Sequence, residues 1–477
     1  MRKSGFSNER LFVLVGAAML ACGPSRSAGI TPDGGVKSAG GNAGSGIAGS
    51  AGTGIAGSAI GSGGQPGTGG SVTNGSGGLD AIDATVGSGG NNGMGGSTPA
   101  PGMDAGYPEI DDAGQFVPTG PFQWNLPHGF PVPLVPVDNP MTYAKVKLGR
   151  FLFYDTRLSF NGTESCATCH DPAQAFTDGR AHGLGSTGEL HPRGPMSLAN
   201  VAYAATLTWE NPDMKELEPQ AKVPLFGDHP VELGLGMHED DVVERLSGVP
   251  AYESMFARAF PADASPITVD NVTRALSSFE RTLLSGGSRY DRDVIDGDFT
   301  ALTASEARGL ALFNDDRFSC FQCHAGTSFT RGTVAQGMSA PSEVFENTGL
   351  YNVDGKGAYP AATQGVIDFT HQPADMGKFK APTLRNIAVT APYMHDGSIA
   401  TLDEVLDHYA AGGRTIATGP NAGDGSKNPF KSGFVHGFTA TADERADLIA
   451  FLNSLTDDDF LKDPRFSDPW PAYKAAN

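Results

Sequence analysis

The 477-residue sequence lacks a hydrophobic run long enough to cross a bilayer, which takes about 20 apolar residues. It is also poor in positive charge, with 33 Lys and Arg against 53 Asp and Glu. The formal net charge of −20 argues against nucleic acid and against electrostatic docking on anionic lipid. Cysteine is scarce as well: there are five, four of them in two short motifs, so no pair remains for a disulfide.

The N-terminus has a basic start followed by a short apolar run, ending at Cys22. This pattern predicts a secretory signal over residues 1–21. The ending "MLAC" resembles a bacterial lipoprotein box, although Met19 stands where Leu is usual, and it predicts a lipid anchor on Cys22 rather than a transmembrane helix. The alternative is an ordinary signal peptide with a stray cysteine. Either way, we expect an exported chain that faces the periplasm or belongs to the cell envelope.

Residues 22–105 consist mostly of Gly, Ser, Ala and Asn, and "GIAGSA" occurs at 46–51 and again at 54–59. Such a segment cannot bury enough apolar surface to offset its ordering entropy, so we expect a disordered, Gly-rich tether. The remaining length suits two domains, predicted at 106–298 and 299–477.

Two pentapeptides carry the chemistry. Cys166, Cys169 and His170 form one Cys-x-x-Cys-His motif, and Cys320, Cys323 and His324 form the other. This spacing is typical of covalent c-type haem attachment, with both cysteines bonded to the porphyrin and the histidine on the iron. The alternative is a set of zinc ligands. Two copies in an exported chain favour two covalent haem c groups, with His170 and His324 as proximal iron ligands.

The approach to each motif is duplicated. Residues 149–159 and 309–319 both read Gly-x-x-Leu-Phe-x-Asp-x-Arg-x-Ser. In the first copy, Leu148, Phe151 and Leu152 fall on one helical face. The repeat predicts a mainly α fold with two related cytochrome c-like domains, each with one covalent haem.

Capping boxes predict further helix starts at Thr303/Glu306, Thr401/Glu404 and Thr441/Glu444. In the helix that follows Thr401, one apolar face carries Leu402, Val405, Leu406 and Tyr409. Tyr409 is therefore expected to point inward, and His408 to lie off this face.

Residues 380–409, "KAPTLRNIAVTAPYMHDGSIATLDEVLDHY", resemble the signature of bacterial di-haem cytochrome c peroxidases and MauG-type enzymes. The resemblance extends through "HPVELG" (229–234) and "LEPQAKVPL" (217–225). It implies that hydrogen peroxide meets the N-terminal haem and that the C-terminal haem relays electrons from a small c-type cytochrome. Oxidation of a protein or organic substrate is the alternative within enzymes, and a non-enzymatic electron carrier is the alternative outside them.

The resemblance assigns the sixth ligand of the second iron to Tyr409, as in the MauG-type enzymes, with Met394 or Met376 as alternatives. A phenolate lowers the potential relative to a thioether. On the first haem, Ser186 occupies the position of the histidine that closes many family members, and His182 and His191 lie nearby. We therefore expect an open first iron.

The resemblance also implies three catalytic residues. Glu232 matches the distal-pocket carboxyl that moves a proton during peroxide cleavage. Gln220 matches a distal amide, with a plain loop amide as the alternative. Trp209 matches the tryptophan between the haems, with a core tryptophan as the alternative. Calcium between the domains stays open, because Gly194 stands where the family has an Asn ligand, although the carbonyls of Thr390 and Pro392 remain available.

Overall fold

The computed structural model describes residues 122–341 and 344–476. The predicted signal sequence, the anchor at Cys22 and the Gly-rich tether lie outside these residues. Within them the fold is mainly helical, as predicted. The α-helices are α1 Tyr143–Phe153, α2 Cys166–Cys169, α3 Leu217–Phe226, α4 Glu239–Ser247, α5 Pro250–Ala259, α6 Val269–Glu280, α7 Ala304–Phe313, α8 Ile367–Thr370, α9 Leu402–Ala410, α10 Ala442–Ser454, α11 Asp458–Leu461 and α12 Trp470–Ala476.

The strands are short and form two antiparallel pairs. The first pair joins β1 Phe345–Glu346 to β2 Phe379–Lys380, and the second joins β3 Thr415–Ile416 to β4 Gly423–Asp424. Short 3₁₀ turns connect many elements, including Cys320–Gln322 within the second pentapeptide, and Asp291–Ile295 forms a π-helical turn. No helix in the described ranges combines the length and the apolar character that a membrane span requires.

The duplicated sequence corresponds to two similar helix pairs. In each pair, the helix that precedes a Cys-x-x-Cys-His motif packs on a later helix, α1 on α6 and α7 on α10. A Cβ at Gly149 would lie 1.9 Å from the Ala275 carbonyl oxygen, and one at Gly309 would lie 1.9 Å from that of Asp447. The shared glycine therefore allows each helix pair to cross at close range.

The aromatic packing repeats as well. Phe153 packs against Phe279 with ring centroids 5.3 Å apart, and Phe313 packs against Phe451 at 5.1 Å. These rings belong to two different hydrophobic cores. The helix faces predicted from the sequence are confirmed, because Leu148, Phe151 and Leu152 are all buried. The three capping boxes at Thr303, Thr401 and Thr441 are also confirmed.

The C-terminal segment returns to the first core. Phe460, Phe466 and Trp470 pack among the residues of α1 and α6, and the Trp470 indole donates to the Phe151 carbonyl at 3.1 Å. A buried ion pair adds a second long-range connection, since the Arg385 guanidinium holds both carboxylate oxygens of Asp291 at 2.7 and 2.8 Å. The domain boundary at 298/299 stays a prediction.

Candidate functional site

The first pentapeptide forms a single helical turn. Ser165 begins α2 through a capping box with Thr168, and His170 follows the last residue of the helix. Its Nδ1 lies 2.7 Å from the Phe176 carbonyl oxygen. A carbonyl only accepts, so Nδ1 carries the proton and Nε2 presents its lone pair. Burial lowers the pKa of His170, which keeps the ring neutral, as an iron ligand must be.

The second pentapeptide reproduces this arrangement. His324 Nδ1 lies 3.2 Å from the carbonyl oxygens of both Phe329 and Pro382. Burial again lowers the histidine pKa, so the ring is neutral with Nε2 available. The four motif cysteines form no disulfide among the described residues. Across 122–341 and 344–476, no three His, Cys, Asp or Glu side chains converge as zinc ligands would, so the zinc alternative gains no support.

A large cavity lies against the second pentapeptide. It contains about 1330 Å³ of empty space, and part of this space opens to solvent. Cys320, Cys323 and His324 line it on one side, and Leu402, Leu406 and Tyr409 of α9 also line it. The face of α9 that was predicted to point inward therefore lines this cavity. A buried pocket with both thiols and an available imidazole suits a covalent haem.

Tyr409 is the polar group of α9 that faces this cavity. No described residue hydrogen bonds to its hydroxyl, and burial raises the phenol pKa. Met394 lines the same cavity, whereas Met376 packs outside it, against a neighbouring hydrophobic cluster. His408 lies off the cavity, as expected, but it is buried rather than exposed. Of the candidate ligands weighed from the sequence, Tyr409 and Met394 are thus the two that the cavity brings together.

Glu232 lies near the first pentapeptide. Burial raises the pKa of its carboxyl, and the nearby His191 opposes this shift. The carboxylate charge in turn helps to raise the pKa of the Cys166 and Cys169 thiols, so Glu232 lies within electrostatic range of both. No described residue hydrogen bonds to the carboxyl group. A half-buried carboxyl without a hydrogen-bond partner among the described residues can take up and release a proton near the first pentapeptide.

The segment around Ser186 packs on Glu232. The Ser186 backbone N–H donates to the Glu232 carbonyl at 2.7 Å, while its hydroxyl is buried without a hydrogen-bond partner. His182 is exposed, and His191 Nε2 lies 3.3 Å from the Val231 carbonyl oxygen. Gln220 is half-buried on α3, and no described residue hydrogen bonds to its amide.

Trp209 lies between two cavities. It lines the cavity of the second pentapeptide and also a second one, bordered by Asp178, Met196 and Tyr393. Its Nε1 donates to the Gly194 carbonyl at 3.0 Å. Gly194 stands at the position where the calcium site implied by the resemblance has an Asn ligand. Thr390 and Pro392 line the same second cavity.

Two residues that the sequence reasoning did not select also line the cavity of the second motif. The His395 ring stacks on Phe379 with centroids 3.5 Å apart, and its buried Nε2 has no hydrogen-bond partner. Lys380 is buried and lines both cavities. Both residues belong to the sequence motif 380–409. Their place in that motif is the one sequence signal that could have identified them. Their burial depends on contacts distant in sequence.

Comparisons with known proteins agree with this arrangement. Residues 143–299 match the family model described as di-haem cytochrome c peroxidase. The methylamine utilization protein MauG of Methylorubrum extorquens is 36% identical over 322 residues, which cover 67% of this chain and 80% of that protein. The cytochrome c551 peroxidase of Nitrosomonas europaea is 33% identical over 278 residues, covering 58% of this chain and 76% of that protein.

A solved structure is also similar. The crystal structure of a MauG-like protein associated with microbial copper homeostasis superposes with a TM-score of 0.71 and 48% identity, covering 73% of this chain and 99% of that one. The chain therefore belongs to the di-haem cytochrome c peroxidase family, which includes MauG. It is an oxidoreductase of this family, and the family implies haem cofactors.

Proposed function

We propose that the chain is an exported di-haem c-type peroxidase that reduces hydrogen peroxide at the haem on Cys166, Cys169 and His170. Electrons are relayed through the haem on the second pentapeptide from a small c-type cytochrome. When bound, each haem supplies an iron that exchanges electrons, and the first also takes up peroxide. Reduction of one peroxide to two waters consumes two electrons and two protons.

The Glu232 carboxyl carries this proposal. Cleavage of peroxide needs a proton moved from the oxygen nearer the iron to the farther one. Burial raises the pKa of Glu232, which suits a group that takes up a proton and returns it. Because no described residue holds its carboxyl, Glu232 is available to the substrate. Gln220 is the accompanying hydrogen-bond donor in this role.

The residues around the first iron support a reaction with peroxide rather than electron transfer alone. Ser186 occupies the position at which many relatives place a closing histidine, and a serine hydroxyl does not close a haem iron in this setting. His182 is exposed, and the ring of His191 is directed at a backbone carbonyl. These residues would thus leave a haem on the first pentapeptide accessible to peroxide.

Trp209 connects the two redox centres in this account. It borders the cavity of the second pentapeptide and an adjoining cavity lined by residues 177–180, which follow the first pentapeptide in the chain, and its indole is oriented by the hydrogen bond to Gly194. An indole that is oxidised transiently divides one long electron transfer into two shorter ones. Replacement of Trp209 should therefore slow transfer between the haems and spare the initial reaction with peroxide.

Tyr409 favours a second candidate, MauG-like oxidation of a protein or organic substrate. A phenolate on the second iron is an anionic ligand and stabilises the oxidised haem. A haem with this ligand would be harder to reduce to the ferrous state. It would be better suited to share an oxidising equivalent with the first haem. The two candidates differ only in the source of the electrons. Attachment through a lipid on Cys22 belongs to the proposal on the strength of the sequence alone, and the question of calcium beside Thr390 and Pro392 stays open.

The test compares haem-loaded wild type with Glu232→Gln and the control Glu239→Gln. Glu239 is exposed in the first turn of α4, so the control removes an equal charge outside the pocket. Glu232→Gln should lower the bimolecular rate with peroxide by roughly 10²–10⁴-fold, the usual contribution of a general acid–base group. Glu239→Gln should react like wild type.

Steady-state turnover with a panel of donors then separates the two candidates. Rapid consumption of reduced cytochrome supports peroxide reduction, and oxidation of organic donors without it supports the MauG-like activity. A Glu232→Gln enzyme that reacts with peroxide at wild-type speed would remove Glu232 from the mechanism.

A further inference from the structure

Lys380 holds a buried ammonium group that has no anionic partner among the described residues. The residue is 7% exposed, and burial alone lowers its pKa, to about 8. Its Nζ donates to the Thr206 carbonyl at 2.6 Å. An ammonium has three N–H donors, so this bond satisfies one of them. No carboxylate of the described residues acts on this charge.

The position of Lys380 is fixed from two sides. It is the second residue of β2, which pairs with β1, and its backbone N–H donates to the Trp209 carbonyl at 2.8 Å. The residue lines both the cavity of the second pentapeptide and the cavity that adjoins it. Lys380 therefore belongs, with Trp209, to the wall that these two cavities share.

Burial of an unpaired charge is costly, and proteins meet that cost by pairing the charge and completing its hydrogen bonds. The group that fills a haem-binding cavity brings carboxylates of its own, since each haem carries two propionates. We propose that Lys380 is the counter-ion of a haem propionate at the junction of the two cavities. This inference rests on the haem assignment of the proposed function.

The pairing has a redox consequence. A fixed positive charge beside a haem favours the ferrous state, because reduction lowers the positive charge on the iron, and in a buried site the attraction is weakly screened. Lys380 thus raises the midpoint potential of the haem that it contacts. It acts as a positioning and tuning residue and does not touch the reacting oxygen atoms.

The test uses haem-loaded wild type, Lys380→Met and Lys378→Met. Lys378 stands two residues earlier, is partly exposed, pairs with Asp375 at 3.0 Å and lines neither cavity. Both variants remove one positive charge from the same stretch of chain. Spectroelectrochemical titration gives the midpoint potentials of both haems, and thermal unfolding gives the stability of the loaded protein.

We expect Lys380→Met to lower at least one midpoint potential clearly more than Lys378→Met does, and to lower the unfolding midpoint, because a propionate is left unpaired. Potentials that match the control would overturn the inference, and so would an unfolding midpoint that rises with no change in potential. Haem content is measured first by intact mass. A wild type without haem would overturn the proposed function together with this inference, whereas loaded proteins with superimposed titrations would overturn the inference alone.

Discussion

Replacement of Tyr409 by Phe distinguishes an iron ligand from an ordinary core tyrosine. The two cases change the free energy of unfolding in opposite directions. The hydroxyl faces the cavity of the second pentapeptide, and no described residue hydrogen bonds to it. Burial raises its pKa, so none of the described residues favours the phenolate. An iron cation in the cavity would supply the missing partner.

The size of the expected stability change follows from the missing hydrogen-bond partner of the Tyr409 hydroxyl. If Tyr409 is only a core residue, a haem that fills the cavity buries its hydroxyl without a hydrogen bond, which costs ~1–3 kcal/mol in protein mutational data. Tyr409→Phe would then raise the free energy of unfolding by about this amount. If the phenolate binds iron, the same change removes a coordination bond, and the free energy of unfolding of the loaded protein falls instead.

Tyr359→Phe is the matched control. Tyr359 lines the same cavity, but its hydroxyl donates to Asn347 Oδ1 at 2.9 Å and accepts from the Leu350 backbone N–H at 3.1 Å. Loss of these two bonds leaves the buried Leu350 N–H unpaired, so it should cost roughly 1–3 kcal/mol and leave the haem spectrum unchanged. Denaturant unfolding of the loaded proteins gives the stabilities, and the ferric absorption spectrum reports the ligand.

We expect Tyr409→Phe to lower stability and to convert the second haem to a five-coordinate spectrum. Tyr409→Met retains a ligand but exchanges an anionic oxygen for a neutral sulfur, so the midpoint potential of the second haem should rise. A more stable Tyr409→Phe protein with an unchanged spectrum would refute the assignment, and Met394 would become the ligand to test.

Three further predictions concern the chain as a whole. Burial raises the pKa of Glu280 from 4.5 to about 8, so its favourable contribution is complete below pH 4.5 and is lost as pH rises through 8. Wild type should therefore lose on the order of 4 kcal/mol relative to Glu280→Gln between pH 5 and 8, and parallel pH profiles of unfolding would contradict this. Arg385→Met strands the buried Asp291 carboxylate and should cost about 3–5 kcal/mol in denaturant unfolding, while a change below about 1 kcal/mol would show that the pair is dispensable. Intact mass of the loaded chain after acid-acetone treatment should show two haem adducts, and a single adduct would refute one of the two attachment motifs.

Local features of the site were predictable from the sequence. Each capping box fixes a helix start within four residues, and the helix that follows Thr401 presents Tyr409 by its period alone. The two Cys-x-x-Cys-His motifs and the repeated segments 149–159 and 309–319 are likewise local patterns. These features need no knowledge of distant contacts.

The remaining features depend on tertiary contacts. Lys380 and His395 are buried by segments distant in sequence, so composition and periodicity give no sign of their exposure. His408 lies off the apolar face of α9 yet is buried, because residues distant in sequence, among them Thr348 and Lys431, lie near its ring. The return of Trp470 to the first core, more than 300 residues after its partner Phe151, is equally invisible to a local pattern.

The ferric absorption spectrum of the haem-loaded protein tests the central claim most directly, because it reports whether each iron is open or closed. The account predicts two components, a high-spin haem at the first motif with a position free for peroxide and a low-spin haem at the second. Added peroxide should perturb the high-spin component first. A purely low-spin spectrum that peroxide leaves unchanged would contradict the account and indicate an electron carrier with two closed haems.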